Sequence, residues 1–551
     1  MPALISHNTL FYGDNLPILR DYVADGSVDL VYLDPPFNSN RTYNVLFGKE
    51  KGGQEAEAQI AAFEDTWHWN QAAEFTYFQL LEHAPAHVAQ MIGALRGFIG
   101  ENQMLAYLVM MAARLVELHR VLKPTGSLYL HCDPTASHYL KIVLDTIFGP
   151  QNFRNEIIWV RTLSKGLSYR QLPTNHDVIL CYQKTDTAQW NKDKAYIAYD
   201  PNNVDEKTSS KYRYRDSNGR LYRLDNLLNP NPDRPNLTYE FLGVTKVWRW
   251  TKERMQKAYE DGLVVQSGPG RVPQLKRYLD EQEGRPLGDV WHDIPPINSQ
   301  AKERLGYPTQ KPLDLLERII ALSSNPGDLV LDPFCGCGTT IAAAQKLGRR
   351  WLGIDITHLS ISLQKYRLKE MFGDDLRFQV IGEPEDAGGA RQLAQDDKYQ
   401  FQWWALSLIR AKPLGGEAGS KTGKKGADKG IDGIITFVDD ESGAAKRVIV
   451  QVKSGHVGRP AVGELVGTVQ REGAAIGVFI TLQEPTEPML KEAAAAGFYQ
   501  SEKMGHVYPR IQILTIAQLL AGAQVQMPSV TQTFKKAQRV RDPGPEQGKL
   551  L

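Results

Sequence analysis

The chain has 551 residues, and at ~150 residues per domain it has room for three or four domains, or two large ones. Hydrophobic residues make up 42% and charged residues 23%, which excludes a wholly disordered, collagen-like or coiled-coil chain. With 64 Lys+Arg against 63 Asp+Glu the net charge is +1, so any nucleic-acid surface must be a local patch.

The N-terminus carries no basic region followed by an apolar core, and no run approaches ~18 apolar residues. Neither a signal peptide nor a membrane partner is expected. Ser27 to Leu33 is a short apolar run that stops at Asp34-Pro35-Pro36-Phe37, which predicts a buried strand ended by two prolines. A polar, glycine-containing loop is predicted from Asn38 to about Gln54. Met104 to Val121 has apolar residues at helical spacing, Lys123-Pro124-Thr125-Gly126 breaks the helix, and Ser127 to His131 returns as a strand. From about Asp186 to Val290 the composition shifts to prolines, asparagines and charges. Within it, six basic residues (Lys207, Lys211, Arg213, Arg215, Arg220, Arg223) stand against the single acid Asp216, with Tyr212, Tyr214 and Tyr222 interleaved. Locally this reads equally as a solvated hairpin or as a DNA-contacting insert, since cations hold phosphates and aromatic rings stack on bases.

The α/β pattern resumes at Lys311: a helix over Leu313 to Leu322, a strand over Asp328 to Leu331, a glycine-rich turn, a helix over Ile341 to Leu347, and a strand over Trp351 to Ile354. Residues 381–398 are rich in Gly, Pro and acids and read as a linker. A second α/β unit over 399–525 is predicted to hold a helix (Phe401 to Arg410), strands (Gly433 to Val438, Arg447 to Val452), a helix (Val462 to Arg471) and a strand (Ile476 to Thr481). Residues 526–551 read as a loose tail. The four cysteines, Cys132, Cys181, Cys335 and Cys337, make neither a disulfide framework nor a zinc pair, as suits a reducing, cytoplasmic setting.

Asp332-Pro333-Phe334-Cys335-Gly336-Cys337-Gly338-Thr339-Thr340 joins a strand to a helix. Glycines there allow a tight turn and a close approach to a ligand. Asp355 ends the next strand, where a carboxylate can accept both hydroxyls of a ribose. A lysine-bearing phosphate loop is absent and the glycine spacing is short, so the ligand is expected to be a nucleoside-type cofactor without a pyrophosphate. Asp34-Pro35-Pro36-Phe37 closes its strand at the end where open α/β sheets bind ligands. Asp34 can accept from an exocyclic amine, a backbone carbonyl beside the prolines can accept a second hydrogen bond, and Phe37 offers a ring for stacking. Alone, the same tetrapeptide is also an ordinary turn.

The pairing of Asp34-Pro35-Pro36-Phe37 with the loop from Asp332 to Thr340 resembles the S-adenosylmethionine-dependent DNA methyltransferases that methylate amino groups. The catalytic motif comes first by about 300 residues, as in the permuted β group of that family. Phe63-Glu64-Asp65-Thr66-Trp67, Leu122 to Ser127 and Gln310-Lys311-Pro312 are similar to further family segments. The resemblance spans residues 8 to 375 and implies a doubly wound, Rossmann-like α/β sheet over residues 1–380, with target recognition at about 186–290. It implies double-stranded DNA as partner and a base flipped from the duplex. Phe37 would stack on it, while Asp34 and the carbonyl of Pro35 accept from its amine and Pro36 stiffens the loop. The cofactor residues would be Asp332, Phe334, Gly336 and Gly338, with Thr339 and Thr340 capping the next helix, Asp355 on the ribose and Asp14 near the adenine ring. The insert's position then favours DNA contact for Lys207, Lys211, Arg213, Arg215, Arg220 and Arg223. Neither Cys132 nor Cys181 sits in a Pro-Cys loop, which disfavours attack at cytosine C5. Within the family an Asp at the first motif position is more typical of adenine enzymes, so adenine N6 is the expected target, with cytosine N4 the alternative. A homodimer and a separate restriction subunit are both open.

Gly426 to Gly433 with Val448 to Gly455 resembles Mrr-type restriction endonuclease domains. The resemblance implies Asp432, Gln451 and Lys453 as a nuclease set, with Asp432 on Mg²⁺. One departure stands out: Gln402 occupies the place of a helix glutamate that completes the metal site, and Asp428 or Glu464 would have to replace it. A fused restriction-modification enzyme that cleaves DNA with Mg²⁺ and a domain that only holds DNA are both open readings.

Overall fold

The computed structural model describes residues 5–36, 41–46, 59–65, 68–162, 172–197, 199, 206–298, 301, 303–305, 307, 309–373, 375–413, 430–439, 445–501 and 505–528. The chain divides into two compact units: Met1–Trp190 with Asp289–Leu551, and Asn191–Gly288.

The first unit is built on a nine-stranded sheet. In chain order its strands are β1 (Thr9–Tyr12), β2 (Val28–Leu33), β3 (Leu122–Cys132), β4 (Phe153–Val160), β5 (His176–Gln183), β6 (Val290–Trp291), β7 (Leu329–Asp332), β8 (Arg350–Asp355) and β9 (Gln379–Ile381). The spatial order is β6-β4-β5-β3-β2-β7-β8-β1-β9. Every pairing is parallel except the two made by β5. Parallel strands are covered on both faces; Val28 to Leu33 is accordingly an apolar run with five of its six residues buried. Helix α1 (Asn15–Tyr22) follows β1. Helix α2 (Gln103–Val121) is buried on nearly every side, with Leu105, Leu108, Leu115 and Leu118 fully enclosed. Burial of such a leucine contributes about 1.5–3 kcal/mol. Helix α3 (Pro134–Phe148) connects β3 to β4, capped by Asp133.

Helices α4 (Leu313–Ser323) and α5 (Thr339–Lys346) follow the sequence expectation, and α6 (His358–Phe372), which the sequence reading did not mark, comes after β8. Two local expectations fail. Lys123 to Gly126 does not leave the sheet: β3 runs through it, with Val28 beside Leu122 and Leu30 already beside Ser127. The extra residues bulge out of the ladder, which accommodates Pro124 without a missing hydrogen bond in register. Within the expected polar loop, Arg41–Leu46 pairs antiparallel with Gln59–Asp65.

Residues 381–398 do not form an extended linker. Helix α7 (Ala387–Asp396) is capped by Asp386, and buries Ala390 and Ala394 in the C-terminal core. Its small alanines give no hydrophobic signal of their own. Helix α8 (Lys398–Leu408) follows at once and adds Phe401 and Trp404. The C-terminal sheet is β10 (Lys412–Pro413), β11 (Gly433–Val438), β12 (Ala445–Lys453), β13 (Ile476–Thr481) and β14 (Ile511–Thr515), in that order. Helix α9 (Arg459–Arg471) connects the parallel pair β12 and β13. Of the expected tail, Gln526 exchanges backbone–side-chain hydrogen bonds with Gln512 and is held; residues 529–551 lie outside the described residues.

The second unit has its own core around Trp248, Met255 and Leu275. Its sheet pairs Leu221–Asn226 with Gln274–Tyr278 and with Tyr214–Arg215.

Candidate active site

Strands β2 and β7 are neighbours, with Val330 beside Leu30 and Leu331 beside Val31. Two loops about 300 residues apart in the chain therefore leave the sheet side by side. One pocket is lined by Asp34, Pro35 and Pro36 from the first loop, by Asp332 to Cys337 from the second, and by Asp355 at the end of β8. Asp14, Thr339 and Thr340 also line it. Phe37 lies outside the described residues.

The glycine loop needs its glycines. Gly336 has φ +48° and Gly338 φ +75°, the left-handed region that side chains avoid. A Cβ on Gly338 would come 2.7 Å from Cγ of Gln364, and one on Gly336 would come 3.3 Å from the Tyr307 ring. Gln364, on α6, donates to the carbonyl of Gly336 at 2.7 Å and braces the loop from below. Arg367, 2% exposed, donates to Thr339 Oγ1 at 2.9 Å. The expectation that Thr339 and Thr340 cap the helix is not met. The N-cap is Gly338, with no side-chain hydrogen bond; the threonines are the first helical residues. Thr340 is hydrogen-bonded to Asp332 instead.

Asp355 is more occupied than expected. Oδ2 accepts from the Gly336 amide at 2.9 Å, and Oδ1 accepts from both the amide and the hydroxyl of Thr357 at 2.9 Å. Ser360 is a further hydrogen-bond partner of this carboxylate, so its acceptor positions are largely engaged within the protein. Beside it Ile356 is 62% exposed at the pocket wall, an apolar face for a flat ring. Burial pushes the Asp355 carboxyl up to about 6. Burial pushes Asp332 up to about 7, against hydrogen bonds from Thr340 and the Phe334 amide, with the charges of Asp34 and Asp355 adding to the rise. Asp14 caps α1 through the Leu16 amide at 2.9 Å and pairs with Arg114 at 2.7 Å. Asn15 donates to the Pro333 carbonyl at 2.7 Å and ties α1 to the glycine loop.

Asp34 is the most telling residue. Its Oδ2 is ion-paired with Lys311 Nζ, in side chains 15% and 10% exposed. Its Oδ1 is buried and, among the described residues, has no hydrogen-bond partner. A buried acceptor without a partner is costly in a resting protein, and it marks where an incoming donor would be received. Sequence reasoning placed Lys311 in a recognisable segment, Gln310-Lys311-Pro312, but not opposite Asp34.

In the second unit Arg220 pairs with Asp280 and Glu281, both at 2.7 Å, and Arg223 lies 3.7 Å from Asp225. Among the described residues no carboxylate pairs with Lys211, Arg213 or Arg215, all exposed. Arg213 lies over the Tyr214 ring, which stacks on Tyr222. The Lys207 side chain lies outside the described residues.

In the C-terminal domain Asp432 Oδ2 accepts from the Val452 amide at 2.7 Å. Gln451 is fully buried, donates to the Gly430 carbonyl and, among the described residues, has no partner at Oε1. A Cβ on Gly430 would meet Gln451 Nε2 at 2.7 Å and Glu464 Oε1 at 3.2 Å, so Glu464 stands beside Gln451. Asp428 lies outside the described residues. Among the described residues no group of three His, Cys, Asp or Glu side chains is placed to hold a metal ion, a thin donor set for Mg²⁺.

A family model described as DNA methylase matches residues 28–363. The chain belongs to the DNA methylases. A model described as restriction endonuclease matches residues 393–504, which the C-terminal domain resembles. The methylase is 28% identical over 363 residues to the type II methyltransferase M.EcaI of Enterobacter cloacae, covering 64% of this chain and 67% of that one. It is 49% identical over 81 residues to the DNA adenine methyltransferase YhdJ of Escherichia coli, covering 15% and 27%. A solved cytosine-N4-specific PvuII DNA methyltransferase is 14% identical, with a TM-score of 0.32 over 68% of this chain and 90% of that one. Among the described residues of the methylase no helix is long and apolar enough to cross a membrane.

Proposed function

We propose that this methylase is a site-specific enzyme that methylates the N6 amino group of adenine flipped out of double-stranded DNA, with S-adenosylmethionine as methyl donor. The observation that carries the reading is the open Oδ1 of Asp34, in the pocket it shares with the glycine loop. The adenine assignment is further supported by the aspartate at this motif position and by the likeness to YhdJ.

The residues fit the cofactor. Gly336 and Gly338 leave a cradle that a Cβ would crowd, Asp355 places its carboxylate at the pocket wall, Ile356 offers an apolar face, and Asp332 offers a buried carboxylate to a cation. When bound, S-adenosylmethionine supplies an electrophilic methyl group. The chain does the rest by positioning and charge. Asp34 Oδ1 accepts from the adenine amine and fixes the nitrogen lone pair. Lys311 holds Oδ2 and leaves Oδ1 to accept from the amine. The Pro35 carbonyl takes the second amine hydrogen and Phe37 stacks on the base. Extruding the base costs a few kcal/mol. Lys211, Arg213 and Arg215 hold phosphates, and a contact of that kind appears in the salt dependence of binding.

The test is transfer of labelled methyl from S-adenosylmethionine to duplex DNA, with nucleoside analysis of the product. N6-methyladenine, absent from the Asp34→Ala variant, is expected. N4-methylcytosine, or full transfer by Asp34→Ala, would overturn the reading.

A further inference from the structure

Helix α6 starts where the pocket wall ends. Asp355, Ile356 and Thr357 all line the pocket, and His358 is the next residue and the first of the helix. The opening amides of a helix have no partner inside it. Here the Thr357 side chain takes the Ser360 amide at 3.2 Å. The His358 amide is taken from the C-terminal domain, by Oε1 of Gln400 at 3.0 Å. Gln400 sits in the first turn of α8, the helix that adds Phe401 and Trp404 to the C-terminal core. Its own amide donates at 3.1 Å to Oδ1 of Asp397, the cap of that helix.

The contact bears on the wall from two sides. Thr357 holds Asp355 through both its amide and its hydroxyl, so the placing of the first turn of α6 decides where that carboxylate stands. His358 is 0% exposed, and its ring stacks on Tyr12 with centroids 3.6 Å apart and planes 20° from parallel. Tyr12 lies beside Asp355 in the sheet and precedes Gly13 and Asp14, two more residues of the pocket. Helix α8 packs against α6. Lys365 of α6 also pairs at 2.9 Å with Glu383, in the segment that leads to the C-terminal domain. A buried amide that loses its acceptor is costly, so undocking α8 works against the present seat of the first turn of α6.

We propose that Gln400 is a positioning residue of the methyl-donor pocket, and that through it the C-terminal domain and occupancy of that pocket are coupled. The proposal rests on the reading of the pocket as the S-adenosylmethionine site. Coupling between two binding events is reciprocal. The seated α8 steadies the wall for the donor, and the bound donor holds α8 in its seat to the same degree. The domain that resembles a nuclease therefore responds to the presence of the methyl donor.

The test uses the full-length protein. Gln400→Met keeps the bulk of the side chain and removes the acceptor. Its Kd for labelled S-adenosylmethionine, by equilibrium dialysis, is expected to rise about 3–10-fold, the range of one hydrogen bond. The KM for the donor should rise in step, with the KM for DNA as in the wild type. Gln400→Glu keeps an acceptor oxygen in either protonation state. It is expected to bind the donor within about twofold of wild type, inside the value of that one bond. Hydrogen exchange is the second measurement. In the wild type the amides of α8 should exchange more slowly with donor bound, and that slowing should vanish in Gln400→Met. Wild-type affinity in Gln400→Met, equal weakness in Gln400→Glu, or α8 exchange in the wild type that ignores the donor overturns the proposal. Failure of the reading beneath it looks different: the wild-type protein itself takes up no S-adenosylmethionine.

Discussion

Lys311 holds one oxygen of Asp34 and leaves the other bare. Removing one partner of an enclosed ion pair costs about 3–5 kcal/mol, because the remaining charge stays behind in a poor solvent. Lys311→Met is therefore expected to lower the urea midpoint substantially and to slow methyl transfer. Asp34→Asn/Lys311→Met should regain most of the stability and none of the activity, and equal instability of the double variant would refute the pairing. The raised carboxyls give a second expectation. An ordinary aspartate titrates near 3.9, while burial pushes Asp332 up to about 7 and Asp355 up to about 6. The folded chain then holds more protons than the unfolded one between about pH 4 and 7, so these groups' contribution to stability falls as pH rises across that window. A series of thermal melts should show the decline in the cofactor-free protein and a flatter profile in Asp332→Asn. A cationic ligand favours the ionised forms, so S-adenosylmethionine affinity should rise from about pH 5.5 to about pH 8, the range in which these carboxyls ionise. An unchanged affinity would place the ligand's charge elsewhere.

At the scale of elements, helix α6 braces the glycine loop through Gln364 and Arg367. Gly338→Ala forces a side chain into φ +75° and against Gln364, at about 1–3 kcal/mol of backbone strain alone. Since Gln364 carries the Gly336 carbonyl, cofactor affinity by equilibrium dialysis should drop at least about tenfold, which about 1.4 kcal/mol of that strain already supplies. Unaltered binding would mean the loop does not face the ligand. The strands that end at Asp34, Asp332 and Asp355 and the two loops were legible in the sequence, because short apolar runs that stop at an acid suit buried parallel strands, whereas strands such as Thr9–Tyr12, Phe153–Val160 and His176–Gln183 were not. What surrounds those acids was not. Gln364, Arg367 and Asn15 act from other elements on groups of the loop, and a single sequence carries no sign of such a contact. The partners of Asp355 were hidden for the same reason: the Gly336 amide and the amide and hydroxyl of Thr357 reach it from separate segments. Helix α7 escaped notice because its buried residues are alanines set among acids and glycines.

At the scale of the molecule, residues 191–288 have their own core and sheet. Replacing them with a short flexible link should leave S-adenosylmethionine binding intact while sequence-selective methylation is lost. Retained selectivity would move target recognition elsewhere. The C-terminal domain offers Asp432, Gln451 and Lys453 with Glu464 alongside, and no three-ligand metal cluster among the described residues. Unmethylated DNA incubated with Mg²⁺ is expected to remain intact; cutting that disappears in Lys453→Ala would restore the nuclease reading.

The adjacency of β2 and β7 also bears on how the protein is made. Leu30 finds its neighbour Val330 only after 300 further residues have left the ribosome, roughly 15–60 s at ordinary elongation rates. Through that interval β2 has β3 on one side and an open edge on the other, and β1 has neither of its neighbours, since β8 and β9 are translated later still. A nascent chain therefore passes most of its synthesis with Asp34 made and its pocket unbuilt. The apolar edges of β1 and β2 are the segments a chaperone would have to shelter during that time.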